Sequence, residues 1–330
     1  MKSGQAAAAL FACLLFPLAV SAQDKTAENK TAENKTESVT VTGQTPQTRD
    51  EVMRGFVRST VAPSVSTGKL ARWDDPICPL IIGLKPEENL AVRERMKKDA
   101  EAVTAPVSAD PSCKPNLVVA FALHPQDLMT KIAERWTLAR GVLGDIDGPI
   151  HARKVSKIFA PIQAWYSTAI RDLHGLSGTP DSPLEGVDPF CKMAQCYTSE
   201  GSTLNNGIKS VFVSVFAVVD LGKADGNNMG AIADYAAMLT LSQTSEFATC
   251  RQMPSVTNLL LPDCDAALKT ARLSDADLAF LRGVYKAKSG DNFNLVMGDI
   301  QREMERSSAV QALAAAAAER TMSPVSSPAK

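Results

Sequence analysis

Apolar runs separated by charged or turn-forming residues predict alternating strands and helices. Ile77 to Leu84 (ICPLIIGL) and Asn116 to Ala122 (NLVVAFA) are continuous apolar runs of strand length. Between them, Pro86 begins a segment whose apolar residues recur at helical spacing from Val92 to Val103. A strand, a helix and a second strand in this order indicate two parallel strands joined by a right-handed crossover.

The helix of this βαβ unit has clear start and face signals. Pro86 suits the first helical position, and Glu87 and Glu88 are favourable near a helix N-terminus. Its basic residues fall on the face opposite the apolar stripe, and we expect them to face away from the core: Arg93, Arg95, Lys97 and Lys98.

The same patterns predict the remaining elements. Helices are expected at Pro125 to Ala139, Gly230 to Gln243 and Asn292 to Arg320, and strands at Ile158 to Arg171 and Lys209 to Asp220. The helix 230–243 is apolar nearly all round, which is typical of a buried helix. Ser274 and Asp277 have the spacing of a capping box. The predicted fold class is α/β (α+β), with a mixed twisted sheet, the βαβ unit and packed helices.

The chain is expected to divide into five parts. Residues 1–22 have the layout of a secretory signal peptide, with a positive charge at Lys2, an apolar run from Ala6 to Leu18 and a small-residue cleavage site ending at Ala22. Residues 23–48 form a linker, 49–290 a folded domain, 291–320 a C-terminal helix and 321–330 a disordered tail. We therefore expect a periplasmic or secreted protein.

The linker contains the pentamer TAENK twice and has too little apolar surface to offset the entropy of ordering. It ends in Glu37 to Gly43 (ESVTVTG), which looks like the energy-coupling box of TonB-dependent outer-membrane receptors. An alternating β-branched segment can add a strand to a partner's sheet. The other interpretation of residues 37–44 is a linker end with high strand propensity.

The net charge of the chain after the signal peptide argues against nucleic acid and anionic lipid as partners. Without Lys2, the 35 Lys and Arg residues become 34, against 36 Asp and Glu, a net charge of −2. Such a surface has no long-range attraction for nucleic acid or anionic lipid. No stretch after the signal is long enough for a membrane-spanning helix. The expected partner is an envelope protein or a small ligand; the sequence does not specify the oligomeric state.

Six cysteines follow the signal peptide, and an even number in an exported chain favours disulfides. Six cysteines allow 15 pairings, and proximity in the sequence suggests Cys78–Cys113, Cys191–Cys196 and Cys250–Cys264. The alternatives are reduced thiols or metal ligands, but no Cys-x-x-Cys pair is present.

Four segments carry a resemblance to a known fold: RWDDPICPLIIGL, PIQAWYSTAIRD, GAIADYAAMLTL and the run from LPDC to LSDADLAFLRGVY. Their order resembles the active-site half of zincin metalloproteases, and also an uncharacterised family of bacterial exported proteins with a zincin-like core. The resemblance covers residues 70–288 and implies a zincin-like sheet with an active-site helix at 230–243.

An active zincin helix carries His-Glu-x-x-His, in which the two histidines bind zinc and the glutamate acts as general base. None of these residue types is present here. The positions of the metal ligands, the base and the methionine turn correspond to Asp234, Tyr235, Met238, Thr244 and Thr257, and Leu241 replaces the bend glycine. The resemblance thus implies a scaffold without its zinc site. Asp234 and Tyr235 are either a helix cap and a core residue or a repurposed polar pair.

No other chemistry has a clear motif. The three histidines, His124, His151 and His174, lie outside the helix 230–243, and we expect them in turns or at strand edges. The chain lacks the G-x-S-x-G nucleophile elbow, the phosphate loop G-x-x-x-x-G-K-[ST] and the dinucleotide fingerprint G-x-G-x-x-G. We therefore expect neither a cofactor nor a metal.

Three hypotheses follow. The first is an exported, non-catalytic zincin-like protein with a binding or structural role in the periplasm or cell envelope. The second is a hydrolase with a non-standard site near Asp234 and Tyr235, which a cleft lined by further carboxylates would favour. The third is an accessory protein of TonB-linked outer-membrane uptake.

Overall fold

The computed structural model describes residues 48–64, 67–135, 148–172, 177–178, 207–244, 249–288 and 290–322. Five strands form one mixed sheet: β1 (Pro79–Ile82), β2 (Leu117–Ala122), β3 (Ile162–Asp172), β4 (Ser177–Gly178) and β5 (Ile208–Asp220). The strand order is β1-β2-β5-β3-β4. The mixed α/β prediction is confirmed.

The parallel part of the sheet contains the predicted βαβ unit. Strand β1 pairs parallel with β2 from Pro79↔Leu117 onward, and β2 pairs parallel with β5. Strand β3 runs antiparallel to β5, and its register shifts between Ser167 and Thr168.

Eight helices lie in the described part of the chain: α1 (Arg49–Thr60), α2 (Pro86–Ala102), α3 (Pro125–Glu134), α4 (Gly148–Val155), α5 (Leu221–Ala224), α6 (Met229–Leu241), α7 (Asp275–Lys286) and α8 (Phe293–Met322). Pro86 does occupy the first turn of α2, and Ser274 and Asp277 do form the capping box of α7. The predicted helix from Pro125 ends at Glu134; residues 136–147 lie outside the described part.

The sheet separates two apolar clusters of different size. Leu117, Val119 and Phe121 point from β2 into the larger cluster, which also contains residues of α1, α2, α6, α7 and α8. Ala120 of β2 and Phe216 of β5 point to the opposite face, where α3 and α4 pack. Successive residues of a strand point to opposite faces, so a strand covered on both sides is apolar throughout. This explains the continuous apolar run of β2. In β1 only one face is covered, and Leu80 and Ile82 are exposed.

Two of the predicted disulfides are present. Cys78 and Cys113 have Cα atoms 6.0 Å apart, and Cys250 and Cys264 have Cα atoms 5.4 Å apart. The predicted pair Cys191–Cys196 lies outside the described residues, as does the predicted signal peptide. Of the predicted linker only Thr48, which caps α1, is described, and of the predicted tail only Thr321 and Met322, which end α8. Across the described residues, no helix combines the length and apolar character needed to cross a bilayer.

Candidate functional site

Helix α6, on which the zincin-like positions fall, is closed to solvent. Every residue from Ala231 to Leu241 is buried. Asp234, Tyr235 and Met238 are each 0% exposed. The side chain of Asn228 caps the helix by accepting a hydrogen bond from the Gly230 amide. The interpretation of Asp234 as a helix cap is therefore wrong, because its carboxylate bonds to other elements.

The C-terminal carbonyl groups of α6 are bound by aromatic side chains from three parts of the chain. Trp73 donates its indole N–H to the Thr240 carbonyl at 2.8 Å. Tyr166 donates to the Leu239 carbonyl at 2.8 Å, and Tyr285 to the Leu241 carbonyl at 2.7 Å. The last carbonyls of a helix lack partners within it, so these donors allow the end of α6 to be buried.

Asp234 is the centre of a buried ion pair. Its Oδ1 accepts from Nε of Arg95 at 2.6 Å and its Oδ2 from Nη2 at 2.8 Å. The Oδ2 atom also accepts from the Leu273 amide at 2.9 Å. Asp234 therefore links α6 to α2 and to the segment that leads into α7. Arg95 has a side chain 43% exposed, in keeping with its predicted outer position, but the helical pattern did not predict this contact.

Asp99 lies one turn beyond Arg95 on α2 and forms a second carboxylate contact. Its Oδ1 is 3.6 Å from Nε of Arg95. Its Oδ2 is buried and has no hydrogen-bond partner among the described residues. Burial and then the neighbouring Asp234 carboxylate raise the pKa of Asp99 to about 7, although Arg95 opposes the shift. Asp99 can therefore gain or lose a proton near neutral pH.

A cleft of about 730 Å³ opens beside this cluster. It lies between α2, α7, α8 and the segment before α7. Its charged lining residues are Arg49, Arg95, Arg272, Asp99 and Asp275. Its volume is within the range of small-molecule sites. Asp234 lies behind Arg95 and does not line the cleft.

A hydrogen-bonded network holds one wall of the cleft. Asp277 is 0% exposed; it accepts from the Ser255 hydroxyl at 2.6 Å and from the Val256 and Ser274 amides, each at 2.9 Å. Burial raises the pKa of Asp277, and these hydrogen bonds oppose the rise. Asp277 fixes the start of α7 to the segment Ser255–Val256, which the sequence pattern predicts to correspond to a zincin methionine turn.

The remaining zincin-like positions are separate from the cleft. Thr257 is 1% exposed, and its hydroxyl lies 2.7 Å from that of Ser255. Thr244 lies 2.9 Å from the Tyr166 hydroxyl and lines a mostly apolar cavity of about 1000 Å³. The structure therefore does not bring the five zincin-like positions together around one accessible site.

Among the described residues that line the cleft, none is a histidine. His124 directly precedes α3 and is exposed, but His151 lies within α4 rather than in a turn. His174 lies outside the described residues. Within the described ranges, no group of three or more His, Cys, Asp or Glu side chains is placed to hold a metal ion.

The sequence patterns singled out Asp234, but they indicated neither its neighbours Arg95 and Asp99 nor Arg272, which lines the cleft. One signal was available: Arg95 and Asp99 have the i,i+4 spacing of a helical ion pair. No signal in the sequence indicated that Asp234 would complete the pair.

No protein-family model matches the chain, and neither a curated protein nor a solved structure does so. The resemblance to zincins therefore stays a prediction from the sequence.

Proposed function

We propose that this is an exported, non-catalytic binding protein of the bacterial periplasm or cell envelope, with a zincin-like scaffold. Its ligand occupies the cleft beside Arg95. The observation that carries this proposal is that the two partners of one ion pair differ in their access to solvent. Asp234 on α6 is inaccessible, whereas Arg95 reaches the cleft.

Burial supports the non-catalytic part of the proposal. A general base must lie within hydrogen-bond reach of the proton it removes, either directly or through one water molecule. Tyr235 is at the position of the zincin base and is fully buried, and burial raises its pKa further from neutrality. Asp234 is likewise enclosed and already accepts three hydrogen bonds.

The disulfides support the proposed compartment. Structural disulfides form and persist in oxidising environments such as the periplasm or the extracellular space. Cys78–Cys113 and Cys250–Cys264 fit that setting. The predicted signal peptide over residues 1–22 gives the route.

Elemental analysis and a peptidase assay test the absence of zinc catalysis. We expect no stoichiometric zinc in the purified protein and no hydrolysis of a mixed peptide library. Stoichiometric zinc together with chelator-sensitive hydrolysis would overturn the proposal. Zinc added to the metal-free protein should leave its thermal midpoint unchanged, because a specific site would stabilise the folded state.

The second candidate function is a hydrolase with a non-standard site, and Asp99 favours it. A carboxyl group with a pKa of about 7 beside a cleft has the property of a general acid or base. If the protein hydrolyses an ester or peptide without metal, Asp99→Asn should abolish the activity while leaving the fold intact. Hydrolysis that survives Asp99→Asn would exclude this site.

The third candidate, an accessory role in TonB-linked uptake, depends on residues 37–44, which lie outside the described part of the chain. Deleting residues 37–44 and repeating a pull-down from envelope extracts tests this role. The accessory role requires that a partner captured by the intact protein is no longer captured after the deletion.

A further inference from the structure

We propose that the cleft beside Arg95 selects a small organic acid, with the carboxylate held by the arginines and an apolar chain along the remaining wall. This inference rests on the proposed binding function and specifies the chemical class of the ligand.

The geometry of Arg95 leaves one end of its guanidinium group for a ligand. Nε and Nη2 donate to Asp234, whereas Nη1 has no hydrogen-bond partner among the described residues. The two bonds to Asp234 fix the plane of the group. An arginine held in this way loses little freedom when it binds a carboxylate, and charge-assisted hydrogen bonds of this type are strong.

Charge favours an anion over a cation. Arg49 and Arg272 also line the cleft, and neither forms an ion pair within the described ranges. The nearest charge to Arg95 is the buried Asp234, which already neutralises it in part. Asp275 is the only lining carboxylate, among described residues, other than Asp99.

The remaining wall favours an apolar group on the same ligand. Met253, Pro254, Leu278 and Met304 all line the cleft. An inorganic anion would leave most of about 730 Å³ to water and would not cover these side chains. An acid with an alkyl chain can meet the arginines and bury apolar surface in one pose.

The protonation state of Asp99 makes the affinity for an anion depend on pH. Asp99 faces Arg95 on its own helix and Asp234 on α6, and it shares the cleft with Arg49, Arg272 and Asp275. An ionised Asp99 repels an arriving carboxylate, whereas a protonated one carries no charge to oppose it. Because the pKa of Asp99 is about 7 before the ligand arrives, anion binding should take up a proton and strengthen as the pH falls.

Calorimetric titration with octanoate and 1-octanol tests the ligand class, since the two differ only in the charged group. We expect octanoate to bind and octanol to bind at least about tenfold more weakly, the loss expected for a charge-assisted hydrogen bond. The double substitution Arg49→Gln and Arg272→Gln should weaken the binding of octanoate by about the same factor. The matched control is Arg93→Gln. Arg93 lies on α2, its side chain is about as exposed as that of Arg95, and it does not line the cleft.

The pH dependence provides an independent readout. Octanoate should bind several-fold more tightly near pH 6 than near pH 8, and Asp99→Asn should remove that difference because it cannot ionise. Failure of octanoate to bind, equal affinity for octanol, or an equal effect of Arg93→Gln would overturn the inference about ligand class. Octanol bound in the cleft would leave the proposed binding function standing, whereas zinc-dependent hydrolysis would remove it.

Discussion

Arg95 and Asp234 are 139 residues apart in the sequence, yet two hydrogen bonds of 2.6 and 2.8 Å join their side chains. One partner is fully buried and the other is 43% exposed. The ion pair thus connects the interior of α6 to the cleft. It fixes Arg95 at the edge of the cleft, where we propose that a ligand binds.

Removing the cation of this pair should destabilise the protein strongly. Arg95→Ala leaves the buried Asp234 carboxyl group without its cationic partner, beside Asp99. We expect a loss of about 3 kcal/mol in the free energy of unfolding, the lower end for a broken buried pair, because water can partly reach the vacated space. Urea denaturation measures this loss.

Arg93→Ala is the matched control for that substitution. Arg93 lies on the same helix, and its ion pair with Glu94 is exposed. Its removal should change the free energy of unfolding by no more than about 0.5 kcal/mol. Similar losses for Arg93→Ala and Arg95→Ala would show that Asp234 does not depend on its partner.

Stability should fall as the pH rises toward neutrality because of Asp99. Its pKa is raised to about 7 from an ordinary 3.8, so the folded state holds a proton that the unfolded state has lost between these values. In that window the unfolded state binds fewer protons, and the free energy of unfolding therefore decreases with pH. Urea denaturation at several pH values should show that the free energy of unfolding depends less on pH in Asp99→Asn than in the unsubstituted protein. An unchanged slope would mean that Asp99 has an ordinary pKa.

The packing of α7 on α8 depends on Gly283. A methyl group at this position would lie 2.7 Å from the Ile300 Cα atom, which is too close for carbon atoms. Gly283→Ala should push the helices apart and cost about 1–3 kcal/mol. Gly298→Ala, on α8, meets only the Arg302 side chain at 3.5 Å and should instead add up to about 1 kcal/mol through helix propensity. Thermal unfolding measures the change in stability of both variants. A change of the same sign in both would contradict the close approach of α7 and α8 at Gly283.

The end of α6 should depend on its aromatic donors. Tyr285→Phe keeps the ring but leaves the Leu241 carbonyl without the 2.7 Å hydrogen bond. We expect a loss of about 1–3 kcal/mol, the cost of an unsatisfied buried acceptor. Octanoate affinity should stay unchanged, because Tyr285 does not line the cleft. A stability equal to the unsubstituted protein would mean that water replaces the hydroxyl.

The sequence predicted most elements because their signals are local. Strand β5 is buried on both faces from Val215 to Val219 and is apolar there, and α6 is enclosed and therefore apolar nearly all round. The Cys78–Cys113 and Cys250–Cys264 pairings followed from short separations in the sequence.

The cleft could not be predicted because it depends on contacts between distant segments. A helical pattern shows which side of α2 faces the core, but not that Arg95 would reach a carboxylate on α6. The position of Asp234 near a helix start is compatible with a cap or with a repurposed polar pair, and Asn228 has the role of the cap. The raised pKa of Asp99 arises from burial and from Asp234, and neither is visible in the residues around it.

The location of the ligand tests the central claim most directly. Amide chemical-shift changes on adding octanoate to the purified protein distinguish the cleft from the cavity beside Tyr166. We predict changes at Leu273, Ser274 and Ala276, with Thr244 and Leu260 unaffected. Changes confined to Thr244 and Leu260 would contradict the claim that the arginine-lined cleft is the binding site.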